Sequence, residues 1–458
     1  MPLNVSDIML SARNADSFST IVQLSTVKTK ADVDAALERG ISVGITADEF
    51  KEKYPGVDPE RIYIGNALSG TYYWEPETMV IFPITLINGE YLALGNVTLQ
   101  EHIKKAKAAI LEHIEENDYK FIATALNDRM RMEYLKMLID KDVPDIYKLF
   151  AIIYPLSDYG CSSLGRDGID KLLSRKTDAQ KAATEAFIQT LPPVVTVYRG
   201  TGSESSPLSE AYSWTLNAGV AVFFATRLTK TGSCIHTAKV KREDIFEYFD
   251  GNESECLILP EKLLDIQTTE FYDADWMNDE MEDAAYSYRD YRDSARYDKI
   301  PFESGSAIHE KSHSMRVLLH ALMLAQLNLL DDEDTDILAE AALYHDTGRF
   351  HDGEDRRHGT LSAKKYKKLR KNPDPIVIFL VKYHCKPDEE GLAFIESDPV
   401  LSAQKERVTL LFNIFKDADG LDRVRLGPFE LDWAQLRTDE AKQMPLVARI
   451  TLEQLEVE

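Results

Sequence analysis

Seven of the ten histidines of this chain fall between residues 309 and 384, at the edges of apolar helical stretches. His313 opens the run Met315 to Leu330, and the pair His345-Asp346 follows Ala339 to Tyr344. His358 precedes another helix, His384 closes Ile376 to Tyr383, and Asp417 and Asp419 sit at the end of Val408 to Phe415. Helices this apolar must bury against one another, so the segment from residue 306 to the C-terminus reads as an all-α domain. A single histidine at a helix end is ordinarily solvated or satisfied in a core, and only the set points to chemistry. Adjacent His and Asp at a helix end can both reach one divalent ion. Imidazole suits transition metals and carboxylate suits Mg or Mn, so Mn, Mg, Fe, Co, Ni and Zn are not distinguished. Such an ion lowers the pKa of bound water and polarises a phosphoryl oxygen, as phosphoester hydrolysis requires.

Four strings in this segment, His313-Ser314-Met315-Arg316-Val317, Ala342 to Arg349, His358 to Ala363 and Lys416 to Arg423, resemble the HD-domain superfamily of metal-dependent phosphohydrolases in order and spacing. The resemblance spans roughly residues 306–430. It implies metal ligands at His313, His345, Asp346 and Asp419, with Asp417 a competitor for the last place. It also implies a second metal or a substrate phosphate at His358 and His384, and Arg316 and Arg349 are candidates to pair with phosphate oxygens. His309, His320 and His351 match no position of the pattern.

At 458 residues the chain exceeds one ordinary core, and the remainder divides by pattern. Residues 1–105 read as a small α/β domain of unknown role. It has a helix over Ala31–Arg39, strands at Ile41–Ile45, Met79–Ile84 and Tyr91–Leu94, and a hairpin turn at Asn88-Gly89. Residues 106–271 read as an α+β domain, with amphipathic helices around residues 103–114 and 176–191. Strands follow at Val194–Tyr198, Val220–Phe224, Cys234–Val240 and Cys256–Leu259. Residues 272–305 are acidic and tyrosine-rich and read as a linker whose tyrosines could dock on a neighbour.

The strand-rich part carries Tyr198-Arg199-Gly200, Ser213-Trp214-Thr215 and Glu253-Ser254-Glu255, each beside a strand. An arginine can bridge phosphates, and two carboxylates two residues apart share one face of a strand. The order resembles the Arg–Ser–Glu class of mono-ADP-ribosyltransferases. The resemblance implies NAD as ADP-ribose donor, gripped by Arg199 with Gly200, supported by Ser213 and Thr215, and packed by Phe223 or Phe224. Glu255 would be the catalytic glutamate, and Glu253 the upstream one that goes with an arginine acceptor on a protein. The family's Ser-Thr-Ser is here Ser213-Trp214-Thr215, a departure at two of three places.

A net charge of −24 argues against nucleic acid and anionic membrane as partners. No apolar run reaches the roughly 20 residues of a membrane span. Four scattered cysteines suit a reducing compartment, either the cytoplasm or a host cytoplasm into which the chain is delivered. The Gly160–Gly165 loop containing Cys161 reads as a possible wall of the NAD pocket. The expectation is a bifunctional nucleotide enzyme acting on a phosphate-containing small molecule or nucleotide. The alternatives are an HD hydrolase with a non-catalytic NAD-binding module, or an inactive regulatory protein.

Overall fold

The computed structural model describes residues 21–65, 70–92, 95, 97–157, 164–203, 205–228, 231–293, 300, 311–353 and 355–455. The Cys161 loop, Ala93, Leu94 and His309 lie outside them. The chain forms two compact units, one of residues 1–190 with 206–213, the other of residues 191–205 with 214–458. Among the described residues no helix is long and apolar enough to cross a membrane.

In the first unit, β1 (Val22–Gln23), β2 (Ile62–Ile64), β3 (Thr71–Glu75) and β4 (Val80–Ile84) form an antiparallel sheet in that order. β5 (Leu86–Ile87) and β6 (Glu90–Tyr91) form a hairpin around Asn88 and Gly89, both at positive φ as its tight turn requires. Capping boxes open the helices Lys30–Glu38, Ala47–Lys53, Leu99–Glu115 and Asp178–Ile188, where Thr29, Thr46, Thr98 and Thr177 each face a Asp, Glu or Gln three residues on. The strand expected at Ile41–Ile45 is absent, although Ile41 and Val43 are buried. Gly40 precedes it at φ 75° and Gly44 interrupts it at φ 67°, passing so close to Asn88 that a Cβ would stand 2.5 Å from its backbone. Residues 106–190 fold with this unit rather than with the strands that follow them.

The second unit holds a six-stranded sheet of β7 (Val194–Thr201), β8 (Ser213–Thr215), β9 (Cys234–Lys241), β10 (Ile245–Phe249), β11 (Glu255–Ile258) and β12 (Leu264–Glu270). Their order across the sheet is β10-β11-β8-β7-β9-β12. The strand expected at Val220–Phe224 is instead part of the helix Ala218–Thr226. An unbroken apolar run carries no period to separate strand from helix. Asn217, whose side chain accepts from the Gly219 N–H, starts the helix. The helix presses on β7 at Gly200, where a Cβ would stand 1.7 Å from the Ala221 carbonyl oxygen. That contact accounts for the glycine after Arg199 as a packing requirement.

Sheet and C-terminal helices share one core. Gly219 lies against the Phe429 backbone, and Phe223 meets the Phe429 ring edge-on at 5.2 Å. Ala221, Val222 and Ile235 belong to the same buried cluster as Leu318, Leu338 and Phe415. The acidic segment expected as a linker forms the helices Ala274–Glu280 and Glu282–Asp293. Met281, Ala284 and Tyr288 are buried in that common core, and Gln326 accepts from the Ala284 N–H at 3.1 Å. At the centre runs the helix Lys311–Leu327, apolar nearly all round. It packs on Asp332–Tyr344 and Lys405–Leu421, with His358–Leu369 and Pro375–Tyr383 completing the bundle.

Candidate metal centre

Each candidate side chain is delivered by a helix start or end. His313 lies in the first turn of Lys311–Leu327, His345 and Asp346 follow the last residue of Asp332–Tyr344, and His384 follows that of Pro375–Tyr383. His358 opens its helix, and Asp419 lies near the end of Lys405–Leu421. The turn carrying His345 and Asp346 is pinned. The Gly348 N–H donates to Ser362 Oγ at 2.8 Å, and Lys365 Nζ donates to the Thr347 carbonyl at 2.6 Å. Gly348 is required there, because a Cβ would meet the Ser362 backbone nitrogen at 2.5 Å.

These positions converge. His313 Nε2 lies 3.1 Å from His345 Nε2, 3.5 Å from Asp346 Oδ2 and 3.4 Å from Asp419 Oδ1. His345 Nε2 lies 3.7 and 3.8 Å from the same two oxygens. Atoms bound to one ion at about 2.1 Å stand about 3.0 Å apart along an octahedral edge and about 3.4 Å along a tetrahedral one. The four atoms therefore fit a single divalent ion after small shifts. Beside them, His358 Nε2 and His384 Nε2 are 2.8 Å apart, and lie 3.1 and 3.5 Å from Asp346 Oδ1. Asp346 thus turns one oxygen to each histidine pair.

The outer nitrogens fix the imidazoles. His345 Nδ1 donates to the Ala342 carbonyl and His384 Nδ1 to the Val381 carbonyl, both at 2.8 Å, and His358 Nδ1 donates to the Asp355 carbonyl. His313 Nδ1 meets Asp422 Oδ2 at 2.7 Å. A carbonyl can only accept, so the hydrogen sits on Nδ1 and the Nε2 lone pair points inward. Two pairs of inward lone pairs, with the buried Asp346 Oδ1 accepting no hydrogen bond among the described residues, demand a positive charge between them. Metal chemistry fits this donor set.

Titration behaviour carries the same demand. Burial alone would lower His358, but with no cation between them the Asp346 carboxylate raises it to about 10, a proton at Nε2 then standing where an ion would. Burial pushes His345 down to about 4. Burial would raise the Asp346 carboxyl, yet His345 and then His358, His384 and His313 hold it well below the usual carboxylate range. Cys385 is also raised by burial, but His358 and His384 bring the thiol down to about 7.

Asp417 and Asp419 part company. Two residues on a helix are about 200° apart, so the two carboxylates face opposite sides. Asp419 reaches the histidines, whereas Asp417 accepts from the Arg437 and Thr438 N–H groups at 2.9 and 2.7 Å and anchors that loop. Arg316, expected at a phosphate, is buried with its Nε 2.6 Å from Asp422 Oδ1. It holds the carboxylate that in turn orients His313. Arg349 does line the cleft, with Nη1 3.3 Å from His358 Nδ1. His320 is a core residue facing the Ala418 carbonyl, and His351 accepts from the Gly353 N–H away from the centre. The sequence reading missed Asp422. Its signal was the i, i+3 spacing from Asp419, matched by Arg316 three residues after His313.

The centre floors a cleft of about 580 Å³ whose walls include Arg349, Arg356, Lys386, Arg423 and Arg425. These five cations share the cleft with the carboxylates of Asp352 and Asp355, in addition to those of Asp346 and Asp419.

In the sheet, Arg199 lies on β7 opposite His236 of β9, Ser213 opens β8, and Glu255 opens β11. Glu253 precedes β11, and its carbonyl accepts from Thr215 Oγ1 at 2.6 Å. Phe223 and Phe224 lie on the helix Ala218–Thr226, Phe223 against Phe429 and Phe224 with the Arg227 guanidinium 4.4 Å from its ring.

Compared with known proteins, residues 311–424 match the family model of the HD domain, 114 of the 458 residues. No curated protein and no solved structure matches the chain. The HD match implies a metal-dependent phosphohydrolase activity, and the His and Asp clusters are compatible with divalent metal.

Proposed function

We propose that the C-terminal helical domain hydrolyses a phosphoester in a small anionic substrate of nucleotide size, using two divalent ions held on either side of Asp346. One observation carries this reading: the two oxygens of Asp346 face two separate histidine pairs. His313, His345, Asp346 and Asp419 would hold one ion, and His358, His384 and Asp346 the other. Such ions supply a water of lowered pKa and charge at a phosphoryl oxygen. The protein contributes orientation and charge. Asp422 and three backbone carbonyls keep each imidazole turned inward. Arg349, Arg356 and Lys386 surround the anion, and the cleft's volume suits a nucleotide-sized ligand.

A second reading, ADP-ribosyl transfer from NAD, concerns the sheet. It is favoured by the adjacency of β7, β8 and β11, which carry Arg199, Ser213 and Glu255, and by the Thr215 hydroxyl bond that ties the Glu253 carbonyl to β8. Arg199 and Glu255 would then grip NAD and act on it.

One assay addresses both readings. Chelator-stripped protein is offered nucleoside phosphates, cyclic nucleotides and dinucleotides, and separately NAD with an arginine-rich acceptor. Phosphate-ester cleavage that returns only with added Mn or a similar ion is the expected result. Cleavage that is indifferent to chelation sinks the hydrolase reading. Absence of nicotinamide release, or release unaffected by Glu255→Gln, sinks the transferase reading.

A further inference from the structure

The second histidine pair has a third donor beside it. Cys385 Sγ, His358 and His384 form one group whose donor atoms all lie within 4.8 Å of one another. Cys385 follows His384 directly, so the turn that ends Pro375–Tyr383 delivers imidazole and thiol together. Its half-buried thiol donates to the Arg356 carbonyl at 3.6 Å, a weak bond that a thiolate would give up. Gly359 packs directly on this turn, where a Cβ would stand 2.7 Å from the Val381 carbonyl oxygen and 3.0 Å from Sγ. Independently, the buried Asp346 Oδ1 accepts no hydrogen bond among the described residues while lying 3.1 and 3.5 Å from the Nε2 atoms of the same two histidines.

We propose that Cys385 Sγ, as a thiolate, is a ligand of the ion held by His358, His384 and Asp346 Oδ1. The inference rests on the two-ion reading above and gives the two positions different chemistry. His313, His345, Asp346 and Asp419 offer nitrogen and oxygen alone, which Mn, Fe or Mg accept. The position with sulfur selects a thiophilic ion such as Zn or Co. Ligation forms one sulfur–metal bond, breaks the S–H bond and releases its proton to solvent, with no change in oxidation state. A hard and a softer ion would thus sit side by side in one cleft.

Cobalt(II) titration of the full metal-stripped chain tests this by its spectrum, without reference to turnover. A thiolate-to-cobalt charge-transfer band in the near ultraviolet is expected as the thiolate position fills. Cys385→Ser, a near-isosteric change, is expected to abolish that band and weaken one of the two ions by at least about tenfold. Two bound cobalt ions without the band overturn the cysteine ligand and leave the two-ion reading standing. A band that persists in Cys385→Ser assigns the thiolate elsewhere and also overturns it. No cobalt binding at all overturns both. If Cys385→Ser misfolds, Cys385→Ala gives the same comparison, and a wild-type chain with two cobalt ions and no band overturns the ligand without any variant.

Discussion

Asp346→Asn is expected to lose phosphoester hydrolysis by on the order of 10³-fold or more and to bind neither divalent ion tightly. The change alters one atom, yet that carboxylate is the only group whose two oxygens meet both histidine pairs among the described residues. A neutral amide offers one weaker acceptor, and turns an N–H₂ toward one of the two inward lone-pair sets. Losing the charge that several kcal/mol of transition-state stabilisation depends on, at about 1.4 kcal/mol per tenfold, gives that magnitude. His358, raised to about 10 chiefly by Asp346, should at the same time move down, because burial is then opposed by Cys385 alone. Turnover and metal affinity are measured together on the same preparation. A variant that keeps both ions and rates within tenfold of the parent would show that Asp346 does not join the two positions.

The second large effect is on stability. Asp422→Ala is expected to cost about 3–5 kcal/mol, because it strips the partner from a buried cation. Asp422 is fully buried and accepts from Arg316 Nε at 2.6 Å and from His313 Nδ1 at 2.7 Å, with Arg425 Nη1 at 3.3 Å. Arg316 is itself buried and cannot shed its charge, so alanine leaves a guanidinium stranded in the bundle. Urea unfolding followed through the helical signal measures the loss, which should fall on the cooperative unit containing residues 311–455. Metal affinity should also drop by about 10–100-fold, since His313 loses the bond that orients it. A midpoint shift below that of an ordinary surface substitution would show that Arg316 finds another partner.

The grouping of these side chains was legible in the sequence because few residue types can serve as metal ligands. His313, His345, Asp346, His358 and His384 stand out as polar residues at the ends of apolar helices, and the structure brings them within a few ångströms of each other. Their supports were less visible. Asp422 looks like any acid at a helix end until its distance from His313 and Arg316 is known, and Arg316 was assigned to substrate for the same reason. Elsewhere, local pattern misled where tertiary packing decided. The run Val220–Phe224 is helical because Gly200 admits a helix backbone at that place on the sheet. The segment from 272 to 293 has a linker's charge, yet Met281, Ala284 and Tyr288 recur at helical spacing and are buried. Charge density masked an apolar stripe that was there to be read. The association of residues 106–190 with the first unit had no local signal, because amphipathic helices do not name the surface they cover.

In this reading, distant helix ends hold two ions around one carboxylate. Elemental analysis of the full chain after saturation with Mn and Zn together, and exhaustive removal of unbound ion, is the test. Two ions per chain are expected for the natural sequence, with one lost in His384→Ala. A folded chain, helical by circular dichroism, that retains no stoichiometric ion would contradict the account at its root.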